Sequence, residues 1–182
     1  YLKLFCEINN PERKEEKQVY IGEQTLYKVI EEYLAKCNEK ISRKLSKPPN
    51  LNIIQDTLKK LAKILWINKS RYLDYSNAIQ LIDEKSLSEL VWNHSFTKAL
   101  LDEGLLISRT IFDKKEKVSF VYDLLGGYLI AKSLLEEQSI NTIENLVKSK
   151  EFEENLLNDD RTKLHPLFED ILRSVCVLLP EK

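Results

Sequence analysis

Between Ser86 and Tyr128 the chain reads SLSELVWNHSFTKALLDEGLLISRTIFDKKEKVSFVYDLLGGY, and no other stretch constrains the fold as much. Ser86 and Glu89 form a capping box: hydroxyl and carboxylate can each satisfy a free amide at a helix start, which predicts a short helix opening there. Ser95 is placed to cap another helix that runs to Glu103 and stops at Gly104, where a left-handed residue is wanted. Residues 105–112 and 117–121 carry β-branched and aromatic side chains and predict the arms of a hairpin around the polar turn 113–116. Asp123 then caps a tyrosine-bearing helix. Two short helices, a glycine stop, a hairpin and a further helix follow the order of a winged helix, with the hairpin as the wing.

The flanks supply more helices. From Gln24 onward Leu26, Val29, Ile30, Tyr33, Leu34, Cys37, Ile41 and Leu45 share one face of a long amphipathic helix, ended by Pro48 and Pro49. Asn50 can cap the next helix, with Leu51, Ile54, Leu58, Leu61, Ala62 and Leu65 on one side and an end near Trp66 or Ile67. This serves as the first helix of the winged helix. Residues 68–83 read as a looser connection with Tyr72, Tyr75 and Ile79 packed. Upstream, Leu2, Leu4, Phe5 and Cys6 read as the end of a buried element, and 9–17, with Pro11, as a loop. Downstream, Leu124, Tyr128, Ala131 and Leu135 form a stripe, and helical patterns recur around 143–147, 152–157 and 167–179. Pro166 suits the first turn of the last of these and Pro180 its end. The expected fold class is mainly α, a winged helix flanked by helical bundle segments, divided at 1–49, 50–137 and 138–182.

With 182 residues and 43% hydrophobic content the chain can bury a real core. Its 28 basic and 29 acidic residues leave a net charge of -1, which disfavours bulk binding of polyanions or anionic membranes. Cys6, Cys37 and Cys176 are odd in number and far apart, so neither a disulfide framework nor a zinc cluster is suggested, and a reducing, cytoplasmic compartment is expected. No apolar run reaches the roughly 18 residues of a membrane span. Methionine is absent even at position 1 and the chain opens inside an apolar run, so it reads as a fragment of a longer protein.

Catalytic constellations are missing from the sequence. There is no GxxxxGK[ST] loop, no HExxH and no GxSxG, and 4 glycines leave little for a phosphate cradle. His94 and His165 each lack a neighbouring nucleophile and orienting partner, and are assigned surface or capping roles. The carboxylate pairs Glu15–Glu16, Glu31–Glu32, Glu136–Glu137 and Asp159–Asp160 are adjacent, so on a helix they point apart and read as solvated faces. Arg109, Lys114, Lys115 and Lys117 give the wing a basic tip that can touch phosphate; the same charges also keep a turn soluble. The helix after Ser95 has Lys98 alone among cations, with Asp102 and Glu103 at its far end. Asn93, His94, Ser95 and Thr97 are the other side chains there that could meet a base or a phosphate. A DNA-binding winged helix is therefore the alternative reading.

Phe120, Tyr122, Tyr128, Leu129 and Ala131, in FVYDLLGGYLIAKSLLEE, resemble the end of the winged-helix domain of STAND nucleotide switches of the NACHT and antiviral Avs type. YLKLFCE at 1–7 is similar to the run after the helical-domain proline of that family. LHPLFEDILRSVCVLLPE at 164–181 resembles the opening of its next helical layer. The resemblance implies a non-enzymatic regulatory fragment whose parent is an ATPase binding ATP or ADP with magnesium. Its partners would be the upstream ATPase core, a downstream sensor region and, on activation, further copies of the parent. Tyr122 matches the histidine or tyrosine of the family pattern and stands where many members carry a histidine that touches the phosphates of ADP; a packing role is the other reading of it. A phenol can give one hydrogen bond there but no positive charge near neutral pH.

Overall fold

The computed structural model describes residues 26–48, 50–86, 88–110, 115–136 and 140–179. The chain divides into two compact units, Asp56 being the last residue of one and Thr57 the first of the other. The expected segment 1–7, the loop 9–17 and the start of the long helix at Gln24 lie outside the described residues.

In the first unit α1 (Leu26–Lys44) buries Val29, Ile30, Tyr33, Leu34, Cys37 and Ile41, the stripe expected from the 3.6-residue period. It ends before the prolines. Ser46 takes a positive φ of 53°, and Lys47 N–H reaches back to the Ser42 carbonyl at 2.8 Å. The next helix, α2 (Ile53–Ile67), starts later than Asn50 predicted. Its first turn is held by Asn38: Asn38 Oδ1 accepts from Ile54 N–H at 3.4 Å and Nδ2 donates to the Leu51 carbonyl at 3.3 Å. A side chain from another helix has taken over the cap. The unit boundary falls within α2.

The second unit continues α2 and adds β1 (Leu73–Asp74), α3 (Tyr75–Asp83), a 3₁₀ turn (Trp92–His94), α4 (Phe96–Asp102), β2 (Leu106–Thr110), β3 (Glu116–Phe120) and α5 (Asp123–Glu136). Then come α6 (Ile140–Val147), a single turn α7 (Lys150–Phe152) opening into a π-helical turn (Glu153–Leu157), a second 3₁₀ turn (Arg161–Lys163) and α8 (Phe168–Leu178). The architecture is mainly helical with one small antiparallel sheet in the order β1-β3-β2. Leu73 pairs with Val118, and Leu106 with Phe120. Among the described residues no helix is long and apolar enough to cross a membrane.

The second helix expected at Ser86 is not there. Ser86 N–H and Oγ do bond the Glu89 carboxylate, at 3.2 and 2.8 Å, but the segment makes only a turn, closed by Glu89 N–H on the Ser86 carbonyl. The helix lies earlier, at α3, where a loose connection was expected; Ala78, Ile79 and Ile82 are its buried residues. α4 follows the sequence closely. Ser95 Oγ accepts from Lys98 N–H at 3.0 Å, Gly104 takes φ 70°, and Leu105 N–H closes the end on the Leu100 carbonyl at 3.0 Å. Both hairpin arms form strands, Glu116 belongs to β3 and not to the turn expected at 113–116, and residues 111–114, Lys114 among them, lie outside the described residues.

The centre of this unit is α5, buried around most of its circumference from Leu125 to Ala131. Its paired glycines explain how. A Cβ on Gly127 would stand 2.6 Å from Asp170 Cβ and 2.9 Å from Ile171 N, so α5 and α8 touch backbone to backbone. A Cβ on Gly126 would meet the Phe120 ring at 3.0 Å and Leu167 at 3.1 Å. The segment from 140 on therefore packs within the same unit as the hairpin.

A candidate functional site at the junction of hairpin and helix

After Phe120 the chain turns through Val121 and Tyr122 into α5. Gly126 N–H bonds the Tyr122 carbonyl at 3.2 Å, which puts Tyr122 at the N-cap and makes Asp123 the first helical residue, not the cap expected from the sequence. The Asp123 carboxylate sits instead beside the Arg71 guanidinium at 3.2 Å, near the positive end of the helix dipole. Arg71 Nη2 also donates to the Pro166 carbonyl at 3.3 Å, while its Nε–H is buried with no partner.

These residues frame an open recess of about 420 Å³, lined among others by Arg71, Arg109, Ser119, Tyr122 and Asp170. The Tyr122 ring is half-buried, and its hydroxyl makes no hydrogen bond among the described residues. Burial pushes the Asp170 carboxyl above its ordinary range; Arg173 pulls it down and Asp123 pushes it further up. The recess thus brings together two residues singled out separately from sequence, Tyr122 and Arg109, with two that were not, Arg71 and Asp170. Nothing local marks Arg71 or Asp170; only the close crossing at Gly127 brings α8 to this edge.

The remaining wing cations divide. Lys115 is exposed, and Lys117 pairs with Asp74 at 3.9 Å. α4 turns few polar side chains outward. Thr97 is fully buried, its hydroxyl and amide both bonded to Asp83, and Ser95 is buried as a cap. Neither can reach a base or a phosphate. Lys98, the helix's one cation, is bound to both oxygens of Asp102 at 2.8 Å. Asn93 and His94 are exposed in the 3₁₀ turn before it.

Of the surface or capping role expected of His165, only the capping one survives. The side chain is fully buried and stacked on Trp66 with ring centroids 5.7 Å apart. Its Nδ1 accepts from Leu167 N–H at 3.0 Å, so the proton belongs on Nε2, which donates to the Leu65 carbonyl at 3.1 Å. Burial pushes its pKa below the ordinary histidine range, against the Leu65 bond, with Lys69 and Arg71 adding to the depression. Of the adjacent carboxylates, Glu136 is paired with Lys59 and Lys132, and Asp160 accepts from Thr162 and lies against Lys163, while Glu15, Glu16 and Glu137 lie outside the described residues. Among the described residues no group of three or more His, Cys, Asp or Glu is placed to hold a metal ion.

Comparison with known proteins leaves the chain to be read from its own residues: no family model, no curated protein and no solved structure matches it.

Proposed function

We propose that the chain is the non-catalytic, regulatory part of a STAND nucleotide-switch ATPase, with a winged helix formed by α2, β1, α3, α4, β2, β3 and α5. The observation that carries the reading is this connectivity together with the strand order β1-β3-β2, in which β2 and β3 serve as the wing and α4 stands in the recognition position. A winged helix whose recognition helix has its one cation bound to its own aspartate is suited to pack on protein and move as a body. Tyr122, at an open edge between wing and α5, then faces the ATPase core of the parent. There it lies within reach of a phosphate of bound ADP with its magnesium. Loss of that contact would free the unit to swing and let the parent oligomerise in the cytoplasm, in a role such as antiviral defence.

The test is made on the full-length parent. A phosphate-binding loop should be encoded upstream of Tyr1, and the purified protein should retain ADP. Tyr122→Phe should weaken that retention by about 1 kcal/mol, the value of one neutral hydrogen bond. A parent without any nucleotide-binding loop, or one whose ADP release is unaltered by Tyr122→Phe, would remove the reading.

A further inference from the structure

Two aromatic rings meet at the surface of the second unit, away from the recess. Tyr75 opens α3 and Trp92 lies in the 3₁₀ turn before α4; their ring centroids are 6.3 Å apart and their planes are tilted by 46°. Trp92 and its neighbour Val91 are exposed. Neither the Tyr75 hydroxyl nor the Trp92 indole N–H makes a hydrogen bond among the described residues. Two carboxylates lie beside the pair without a cation of their own. Asp83 accepts from the amides of Phe96 and Thr97 and from the Thr97 hydroxyl, and Glu116 accepts from the Ser108 hydroxyl. These donors are all neutral, and neither carboxylate has an ion pair among the described residues. Their field reaches the rings: burial first, then Glu116 and Asp83, push the Tyr75 hydroxyl above its ordinary pKa. α3 packs on β3, where alternation puts Glu116 on the face of Val118 and Phe120, and Lys117, opposite Arg109, on the other. Lys117 is besides held by Asp74.

We propose that the Tyr75–Trp92 pair is the docking point for a basic segment of a protein partner, whose arginine or lysine side chain lies over the Trp92 ring with its charge near Glu116 and Asp83. A ring face attracts a cation through its quadrupole, tryptophan most strongly, and the uncompensated carboxylates add a charge of the right sign. Exposed Val91 offers apolar surface that a free ion would leave uncovered, so the occupant is a segment carrying apolar neighbours beside its cation. Tryptophan, tyrosine and a partner's arginine are the residues on which protein interfaces most depend. The surface stands whether or not the chain serves a nucleotide switch.

The experiment titrates the isotope-labelled 182-residue protein with a capped Ala-Leu-Arg-Leu-Ala peptide, and with the same peptide carrying neutral citrulline for arginine, following the Trp92 indole N–H signal by NMR. Trp66, the other tryptophan, is buried and gives a reference signal. Saturable shifts with the arginine peptide alone are expected. Trp92→Ala, read on the amides of Tyr75 and Glu116, should weaken binding about tenfold, and Trp92→Phe less, because a phenyl ring keeps part of the attraction. Glu116→Gln should also weaken it, while Glu151→Gln, at an exposed position of α7, should leave it unchanged. No saturation by about 10 mM overturns the proposal. So does equal binding of the citrulline peptide, or an equal loss in Glu116→Gln and Glu151→Gln. Ethylguanidinium ion binding as tightly as the peptide would make the pair a site for a free small cation and overturn it as well. Trp92 shifts that grow with protein concentration in the absence of peptide would assign the patch to a second copy of the chain, with the same result.

Discussion

Asp83 grips Thr97 twice, accepting from its hydroxyl at 2.6 Å and from its amide at 3.1 Å, while its other oxygen takes the amide of Phe96. The last residue of α3 thereby satisfies the free amides at the start of α4, alongside the Ser95 cap. The angle between the two helices is fixed by one carboxylate. Asp83→Ala should cost about 2 kcal/mol, since it strands a buried hydroxyl as well as two amides. Thr97→Val should cost less, because the amide bond survives. Urea unfolding of the two single variants and the double variant gives the coupling, and strict additivity would show that the two residues do not act together.

Gly127→Ala should be among the most damaging single-methyl changes in the chain. The new Cβ would meet Asp170 and Ile171 backbone atoms closer than 3.0 Å, and backbone cannot step aside as a side chain tip can. Overpacking of this kind costs about 1–3 kcal/mol. Gly126→Ala, whose nearest atoms belong to the Phe120 and Leu167 side chains, should cost less. Thermal midpoints in the reverse order would contradict the backbone contact.

Stability should fall as the solution is acidified through the histidine range. His165 is folded in its neutral form with its pKa depressed, so the unfolded chain binds the proton first. Its contribution is complete above the ordinary histidine pKa of about 6.5 and is lost as pH falls from there towards the folded value. Protonation also turns Nδ1 from acceptor to donor, directly against Leu167 N–H. Urea midpoints at about pH 7.5 and pH 5.5 should separate in the native protein and draw together in His165→Gln.

Duplex DNA should bind weakly if at all. With Thr97 and Ser95 buried and Lys98 paired, α4 offers no unpaired cation, and on the wing Lys117 is shared with Asp74. A gel-shift series at low salt should show no affinity that depends on Lys115 and Lys117. Retarded bands that vanish in the doubly neutralised variant would restore the DNA-binding alternative.

Elements whose signals are local could be read from the sequence: the α1 stripe, Ser95, Gly104 and both hairpin arms. What escaped was set by distant partners. β1 is two residues long and exists because Leu73 and Asp74 pair with Val118 and Lys117. α3 carries no side-chain hydrogen bond at its N-cap and only three buried residues, whereas Ser86 and Glu89 advertise a cap that the chain uses for a turn. His165, in the loop before α8, gives no local hint of burial, because its stacking partner Trp66 lies far away in sequence, on α2. At the candidate site Tyr122 and Arg109 stood out in the sequence. Asp170 did not, since only the close crossing at Gly127 brings α8 to that edge. The glycine pair at 126–127 could have been read as a mark of close approach within a helix.

The contact at Gly127 also has a mechanical side. Helices separated by a layer of side chains can slide by exchanging rotamers, but two that meet through backbone have no such layer to rearrange. α5 and α8 therefore form a stiff strut, and α5 leads directly out of the wing through Tyr122. A pull applied to the far end of α8 would reach the hairpin as displacement, instead of being absorbed along the way.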